Sequence, residues 1–237
     1  MASYRPLWEP EFWEDELPPW PCPNCERGNL RIIQESLFLQ RDASSSAMIK
    51  EDGFHPDYSF GRFSCMLVCE RCDTPVAMVG NYQSHEHSTR DGITERRTLK
   101  PLSMIPGSPL MALPPSIPKD AAEAMRESFT AFWGDRGGAA NRLRISVERI
   151  LDAEAIPPKG TLNDRIAEFG KKHPDMERSL HALRHVGNVG SHEGDAGREE
   201  LLDAFEVYQE WLREYYGKYR EHIKELAEKL VAAKGKY

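Results

Sequence analysis

Two Cys-x-x-Cys pairs constrain this chain most: Cys22-Pro23-Asn24-Cys25 and Cys69-Glu70-Arg71-Cys72. A pair with this spacing closes a tight turn that aims both sulfurs at one point. Two such turns supply the four corners of a thiolate tetrahedron, the donor set that suits Zn²⁺. Pro23 fixes one φ angle of the first turn. The N-terminus lacks a basic segment followed by an apolar stretch, so no secretory signal is expected and the location expected is cytoplasmic. In a reducing compartment, paired cysteines favour a metal over disulfides. Four thiolates leave no open coordination position, so the Zn²⁺ expected on Cys22, Cys25, Cys69 and Cys72 is structural. The plainer reading is two unrelated reduced thiol pairs. A thioredoxin-like redox motif fits less well, because the second pair stands where a ligand pair is needed.

Cys65 is the spare thiol, and within a strand it reads as a small buried hydrophobe. His85 and His87 are competing ligand candidates, although loop histidines are usually only solvated. The gap between the pairs, 43 residues, exceeds that of a minimal ribbon. The Ser44-Ser45-Ser46 stretch within 42–61 accounts for the excess as a long inserted loop.

Strand-like runs surround the cysteines: Leu30–Gln40, Arg62–Val68, Pro75–Gln83 and Ile93–Leu102, separated by Gly, Asp, Asn and Ser. Residues 22–105 therefore read as a β-rich zinc ribbon. Ahead of it, residues 1–21 form an irregular arm, acidic and aromatic, with Trp8, Phe12, Trp13 and Trp20. Bulky aromatics cover apolar surface, so the arm is expected on the chain's own domain, with a partner-binding segment as the alternative. Five prolines in 106–118 cannot continue a helix or a central strand, and mark a linker.

Beyond the linker, residues 119–237 change to a helical period. Ala121–Trp133 carries Ala121, Ala124, Met125, Ser128, Phe129 and Phe132 on one stripe. Ala139–Ala153 follows, then a helix capped by Thr161 and running to about Lys172, then Asp175–Val186. Gly187, Gly190 and Gly194 interrupt the pattern before a last helix over 197–233, ~50 Å long at the usual rise. Leu201, Phe205, Tyr208, Leu212, Tyr215 and Tyr219 give that helix a heptad seam. The seam packs on its own bundle or, through its distal half, on a second copy. The fold class expected is thus α+β: a β-rich zinc ribbon, then an all-α bundle with a long C-terminal helix.

The charge balance limits function. Net charge is −7; residues 1–118 hold 11 Lys+Arg against 16 Asp+Glu, and 119–237 hold 20 against 22. A chain of this balance does not coat nucleic acid by bulk electrostatics, so any such contact needs a local basic patch. Arg142, Arg144 and Arg149 are one candidate. No run approaches the ~18 apolar residues of a membrane span.

The run Arg184-His185-Val186-Gly187-Asn188-Val189-Gly190-Ser191-His192 lies between two amphipathic helices. Gly187 and Gly190 allow close backbone approach, and Asn188 or Ser191 could cap the last helix. In a functional reading Arg184 clamps a phosphate and His192 moves protons near neutral pH. In a packing reading Arg184 pairs with Glu148 or Glu177 and His192 caps a carbonyl.

The order of Cys-x-x-Cys ribbon, proline-rich segment, Ala139-Ala140-Asn141-Arg142-Leu143-Arg144-Ile145-Ser146-Val147-Glu148, Leu162-x-x-x-Ile166 and Arg184–His192 resembles a bacterial domain family found fused to type I restriction subunits and near other defence genes. Its helical part is similar to the HEPN superfamily, many of whose members are dimeric, metal-independent ribonucleases. The resemblance implies a nucleic-acid-associated defence protein, with Arg184 on phosphate, His192 as general acid/base and Asn188 orienting them. It also implies RNA or DNA, a larger defence or restriction protein, and a second copy of the chain as partners. The rival expectation is a non-catalytic adaptor, antitoxin or oligomerisation module.

Overall fold

The structure is a computed structural model that describes residues 5–89, 92–192, 197–217 and 219–233, without the side chains of 89, 92, 93, 189–192 and 219–221. An antiparallel sheet is followed by helices, the α+β class expected. The chain divides into two compact units: Met1–Leu110 with Arg126–Ala139, and Met111–Met125 with Ala140–Tyr237.

The first unit is built on β1 (Phe12–Trp13), β2 (Leu30–Ile32), β3 (Phe38–Arg41), β4 (Phe60–Cys69), β5 (Pro75–Thr89) and β6 (Gly92–Ile105). The strand order is β1-β6-β5-β4-β2, with β3 also on β4. Alternation along β4 is complete: Phe63, Cys65, Leu67 and Cys69 are buried, whereas Arg62 and Met66 are exposed. Val76 and Met78 of β5 and Leu99 and Met104 of β6 extend the buried face. One face of the sheet therefore makes a core and the other meets solvent.

The aromatic arm contributes to that core rather than standing free. Trp8 and Trp20 stack at 6.2 Å, Trp133 meets Trp20 edge-on at 5.2 Å, and Phe12 meets it from another side. Trp20 is fully buried and its indole N–H donates to the Leu7 carbonyl at 2.6 Å, the partner a buried indole needs.

Two local expectations are corrected. Leu30–Gln40 is not one strand but two, parted by a tight turn at Gln34–Ser36. The Ser36 hydroxyl donates to the Ile33 carbonyl and accepts from the Met66 amide at 2.8 Å, which ties the turn to β4. The segment 42–61 is not a plain loop but carries helix α1 (Ala43–Asp52). Asp42 caps it by accepting from the Ser45 amide at 2.8 Å. Serines and acids that look like loop residues also serve as helix caps.

The helices that follow are α2 (Lys119–Ala131), α3 (Arg136–Ala153), α4 (Leu162–Gly170), α5 (Pro174–His192), α6 (Arg198–Tyr216) and α7 (Tyr219–Ala232). All six positions of the α2 stripe are buried. Residues 106–118 carry neither helix nor strand, as their prolines require, yet Gly107 to Met111 are buried. In the second unit Leu143, Val147, Ile150, Ile166, Leu180, Leu183, Leu201, Phe205 and Leu212 form the core. The proximal seam of the last expected helix thus packs within its own unit. Its distal half is a separate helix: the chain breaks at Gly217 rather than running unbroken over 197–233. Glycine is a poor helix former. The expected interruption after Val186 does not occur, since α5 continues through Gly187 and Gly190 to His192. Asn188 consequently lies inside a helix and does not cap α6, whose N-cap is Gly197.

Thr161 caps α4 as expected, within a reciprocal capping box with Asp164. Thr161→Ala should cost about 1 kcal/mol, read from the denaturant midpoint. Deeper in the unit, the Tyr208 hydroxyl lies 2.8 Å from Ser146 Oγ, which donates to the Ala121 carbonyl at 2.9 Å. Ser146 has spent its proton, so Tyr208 donates. Burial holds Tyr208 in its neutral form well above the ordinary tyrosine range. Above pH ~10 the unfolded chain loses that proton and the folded one keeps it. Stability should then fall by about 1.4 kcal/mol per pH unit from this group alone, as measured by denaturation between pH 9 and 11.

Candidate functional site

The four cysteines of the two pairs converge. Their sulfurs all lie within 4.8 Å of one another. Cys22 Sγ is 3.7 Å from Cys72 Sγ, and Cys25 Sγ is 3.7 Å from Cys69 Sγ. A disulfide needs ~2.05 Å, so these are separate thiols. With metal–sulfur bonds of ~2.3 Å, the edge of a tetrahedron is ~3.8 Å, which these separations match.

The two turns repeat one geometry. The amide two residues after the first cysteine points at its sulfur, Asn24 N to Cys22 Sγ and Arg71 N to Cys69 Sγ, each at 3.3 Å. The amide four residues on returns to the carbonyl of the first cysteine, from Glu26 at 3.0 Å and Asp73 at 3.1 Å. Glu26 and Asp73 both take positive φ, 52° and 56°, a conformation rare outside glycine. Sequence reasoning missed these two residues; their equal offset from each Cys-x-x-Cys was the signal.

The sheet holds the turns together. Leu30 pairs with Cys69 across β2 and β4. The Cys22 amide donates to the Gly28 carbonyl at 2.8 Å and the Glu70 amide to the Asn29 carbonyl at 3.0 Å. Gly28 leaves no space: a Cβ there would lie 2.6 Å from Cys69 Sγ and 2.7 Å from Arg71 Cβ.

Environment separates the thiols electrically. Burial pushes Cys22 up to about 12. The Thr74 hydroxyl, 3.2 Å from Cys72 Sγ, pulls Cys72 down to about 6. The Arg27 amide lowers Cys25. Hydrogen-bond donors aimed at sulfur stabilise thiolates, the form that binds metal. A cation held among the four sulfurs would favour the Cys22 thiolate against that burial.

The other candidates stand apart from this cluster. Cys65 is buried on the inward face of β4, and desolvation raises it to about 11. His85 Nε2 lies 3.0 Å from Thr98 Oγ1, with its ring against Trp13. His87 lines a polar cleft with Glu14, Asp15 and Arg96.

In the second unit, α5 places Arg184 and Asn188 one turn apart. The His192 side chain lies outside the described residues, as does that of Ser191; the His192 Cα is ~12 Å along the axis from that of Arg184. Arg184 Nη2 lies 3.1 Å from His185 Nε2. A guanidinium only donates, so the imidazole nitrogen is the acceptor in this contact. Among the described residues, Arg184 Nε is buried without a hydrogen-bond partner. The carboxylates expected for Arg184 have other partners: Glu148 binds Arg144, and Glu177 binds His181 at 3.2 Å. Gly187 does provide a close approach, since a Cβ there would lie 2.6 Å from Arg144 Cβ. The suggested basic patch is partly neutralised, with Arg144 on Glu148 and Arg149 on Asp152.

Two family models match this chain. One, a domain of unknown function (DUF8608), covers residues 10–98 and so contains all four clustered cysteines. The other, a domain of unknown function (DUF4145), covers residues 126–233 and contains the Arg184–His192 run. No curated protein and no solved structure matches the chain. Among the described residues, no helix is long and apolar enough to cross a membrane.

Proposed function

We propose that the chain is a zinc-stabilised, nucleic-acid-associated protein of bacterial defence whose helical unit is a metal-independent ribonuclease of the HEPN type. Cys22, Cys25, Cys69 and Cys72 hold the Zn²⁺. An all-thiolate set closes the coordination sphere, so the ion's contribution is folding free energy for the sheet, not chemistry.

In the reaction the RNA 2′-hydroxyl attacks the adjacent phosphorus. A bond from O2′ to phosphorus forms and the bond to O5′ breaks, leaving a 2′,3′-cyclic phosphate and a 5′-hydroxyl. Arg184 binds the phosphate and stabilises its developing charge. His192 takes the 2′ proton and returns one to the leaving oxygen. Asn188, one turn from each, orients them. The observation that supports this reading is the state of Arg184: Glu148 and Glu177 pair with other residues, and among the described residues its Nε hydrogen has no acceptor, its Nη2 meeting only the neighbouring His185 ring.

The test is end-labelled RNA incubated with wild type, Arg184→Ala and His192→Ala in buffer free of added divalent cations, with and without EDTA, and with zinc content measured afterwards. Cleavage by wild type, reduced about 100-fold or more in each variant at unchanged melting temperature, is expected. Wild type that leaves RNA intact contradicts it. The second reading, a non-catalytic adaptor, is favoured by the neutralised arginines of α3, which leave less free cationic surface for RNA.

A further inference from the structure

The outward face of the sheet divides its side chains unusually. Cross-strand register aligns Gln40, Arg62, Asn81 and Lys100 in one row over β3, β4, β5 and β6. The next row, two residues along, is Phe38, Ser64, Val79 and Ser103. A third holds Met66, Ala77 and Ile105, and Arg31 lies beyond it, opposite Val68. Solvent-facing strands normally alternate to polar residues, yet Phe38 is 61% exposed, Ile105 59% and Val79 45%.

The charges on these rows are all positive. Arg31, Arg62 and Lys100 are exposed, with no ion-pair partner among the described residues, and no row contains a carboxylate. Residues 1–118 as a whole carry 11 Lys+Arg against 16 Asp+Glu, so this face runs against its surroundings. The Asn81 side-chain oxygen accepts from Arg62 and aims its guanidinium. A cleft of about 410 Å³ follows the first row, lined by Arg62, Asn81, Gln83 and Lys100 together with Glu11 and Asp42. The Asp42 carboxylate is occupied as the α1 cap. The face ends where Asp15 and Glu16 neutralise Arg96 over Trp13.

We propose that this sheet face is a docking platform for single-stranded RNA, with Arg62 and Lys100 on phosphates and Phe38 stacking a base. The assignment of RNA rests on the ribonuclease reading; the platform rests on charge complementarity. Cations beside an exposed ring suit a flexible polyanion with unstacked bases, whereas a duplex keeps its bases stacked away from Phe38. The exposed apolar area is on the order of a few hundred Å², short of the ~800 Å² per partner of a standard protein interface. Ser64, Ser103, Gln40 and Asn81 offer hydrogen bonds of the kind that 2′-hydroxyls use.

The test is fluorescence anisotropy of a labelled oligouridylate of ~15 nucleotides, long enough to cross the sheet. Full-length wild type is used, and His192→Ala to keep the strand intact. Binding that weakens with salt is expected. Phe38→Ala should weaken it ~10-fold, and the Arg62→Glu, Lys100→Glu double variant should abolish it. All these positions are exposed, so melting temperature and zinc content should not change. No binding by wild type, equal affinity in both variants, tighter binding of oligodeoxythymidylate or duplex, or a dimer that Phe38→Ala dissolves would each overturn the proposal. Absent cleavage with variant-sensitive binding leaves the platform standing and removes the nuclease; cleavage with variant-insensitive binding does the reverse.

Discussion

Stripping the metal from the purified protein is expected to unfold the first unit while the helices of the second keep their circular-dichroism signal. The magnitudes decide this. Zinc on a thiolate site contributes ~10–16 kcal/mol in small zinc domains, as much as the whole ~5–15 kcal/mol net stability of a typical domain. Without the ion, Cys22 and Cys69 become buried thiols and the turns at 22–28 and 69–74 lose their common anchor. Trp8, Trp20 and Trp133 then leave a shared apolar cluster. Tryptophan emission should shift to the red, β signal should fall, and re-added Zn²⁺ should restore both. The second unit draws its core from helices alone and should hold. Cys69→Ser should reproduce the apo state. Spectra and melts unchanged after complete chelation would rule out a structural metal.

Gly28→Ala is expected to damage the same centre without touching a ligand. The added methyl meets Cys69 Sγ at 2.6 Å and Arg71 Cβ at 2.7 Å. Arg71 Cβ cannot swing away as a side-chain tip could, because it sits on the backbone of the second turn. Relief requires the two turns to part. The expected cost is on the order of 3 kcal/mol, at the upper end for overpacking one methyl, with at least a tenfold loss of zinc affinity in competition with a chelating indicator. Asn29→Ala, at the exposed neighbouring position, should change neither. Normal affinity in Gly28→Ala would mean that the turns tolerate separation.

The two cysteine turns were legible because Cys-x-x-Cys spacing is set by local backbone geometry, which needs no tertiary information. The strands around β4 and the stripe of α2 were legible by period for the same reason. What escaped the sequence depended on partners distant along the chain. The turn at Gln34–Ser36 exists because Ser36 reaches Met66 on β4. Helix α1 hides among polar residues that resemble a loop until Asp42 is seen to cap it. Gly187 and Gly190 weaken a helix by propensity, yet α5 runs through them, and tight packing on Arg144 gives Gly187 a reason to be small. The long C-terminal helix failed the other way, since a continuous heptad pattern did not prevent the break at Gly217. For Arg184, residue type could not say whether Glu148 or Glu177 would claim it, and the structure gives both to other residues.

X-ray absorption at the zinc edge, with metal stoichiometry on the protein as purified, tests the metal centre most directly. The expected result is one zinc per chain with four sulfur neighbours at ~2.3 Å and no nitrogen or oxygen in the first shell. A metal-free protein, a shell mixing sulfur with histidine nitrogen, or Cys22–Cys72 recovered as a disulfide would contradict it.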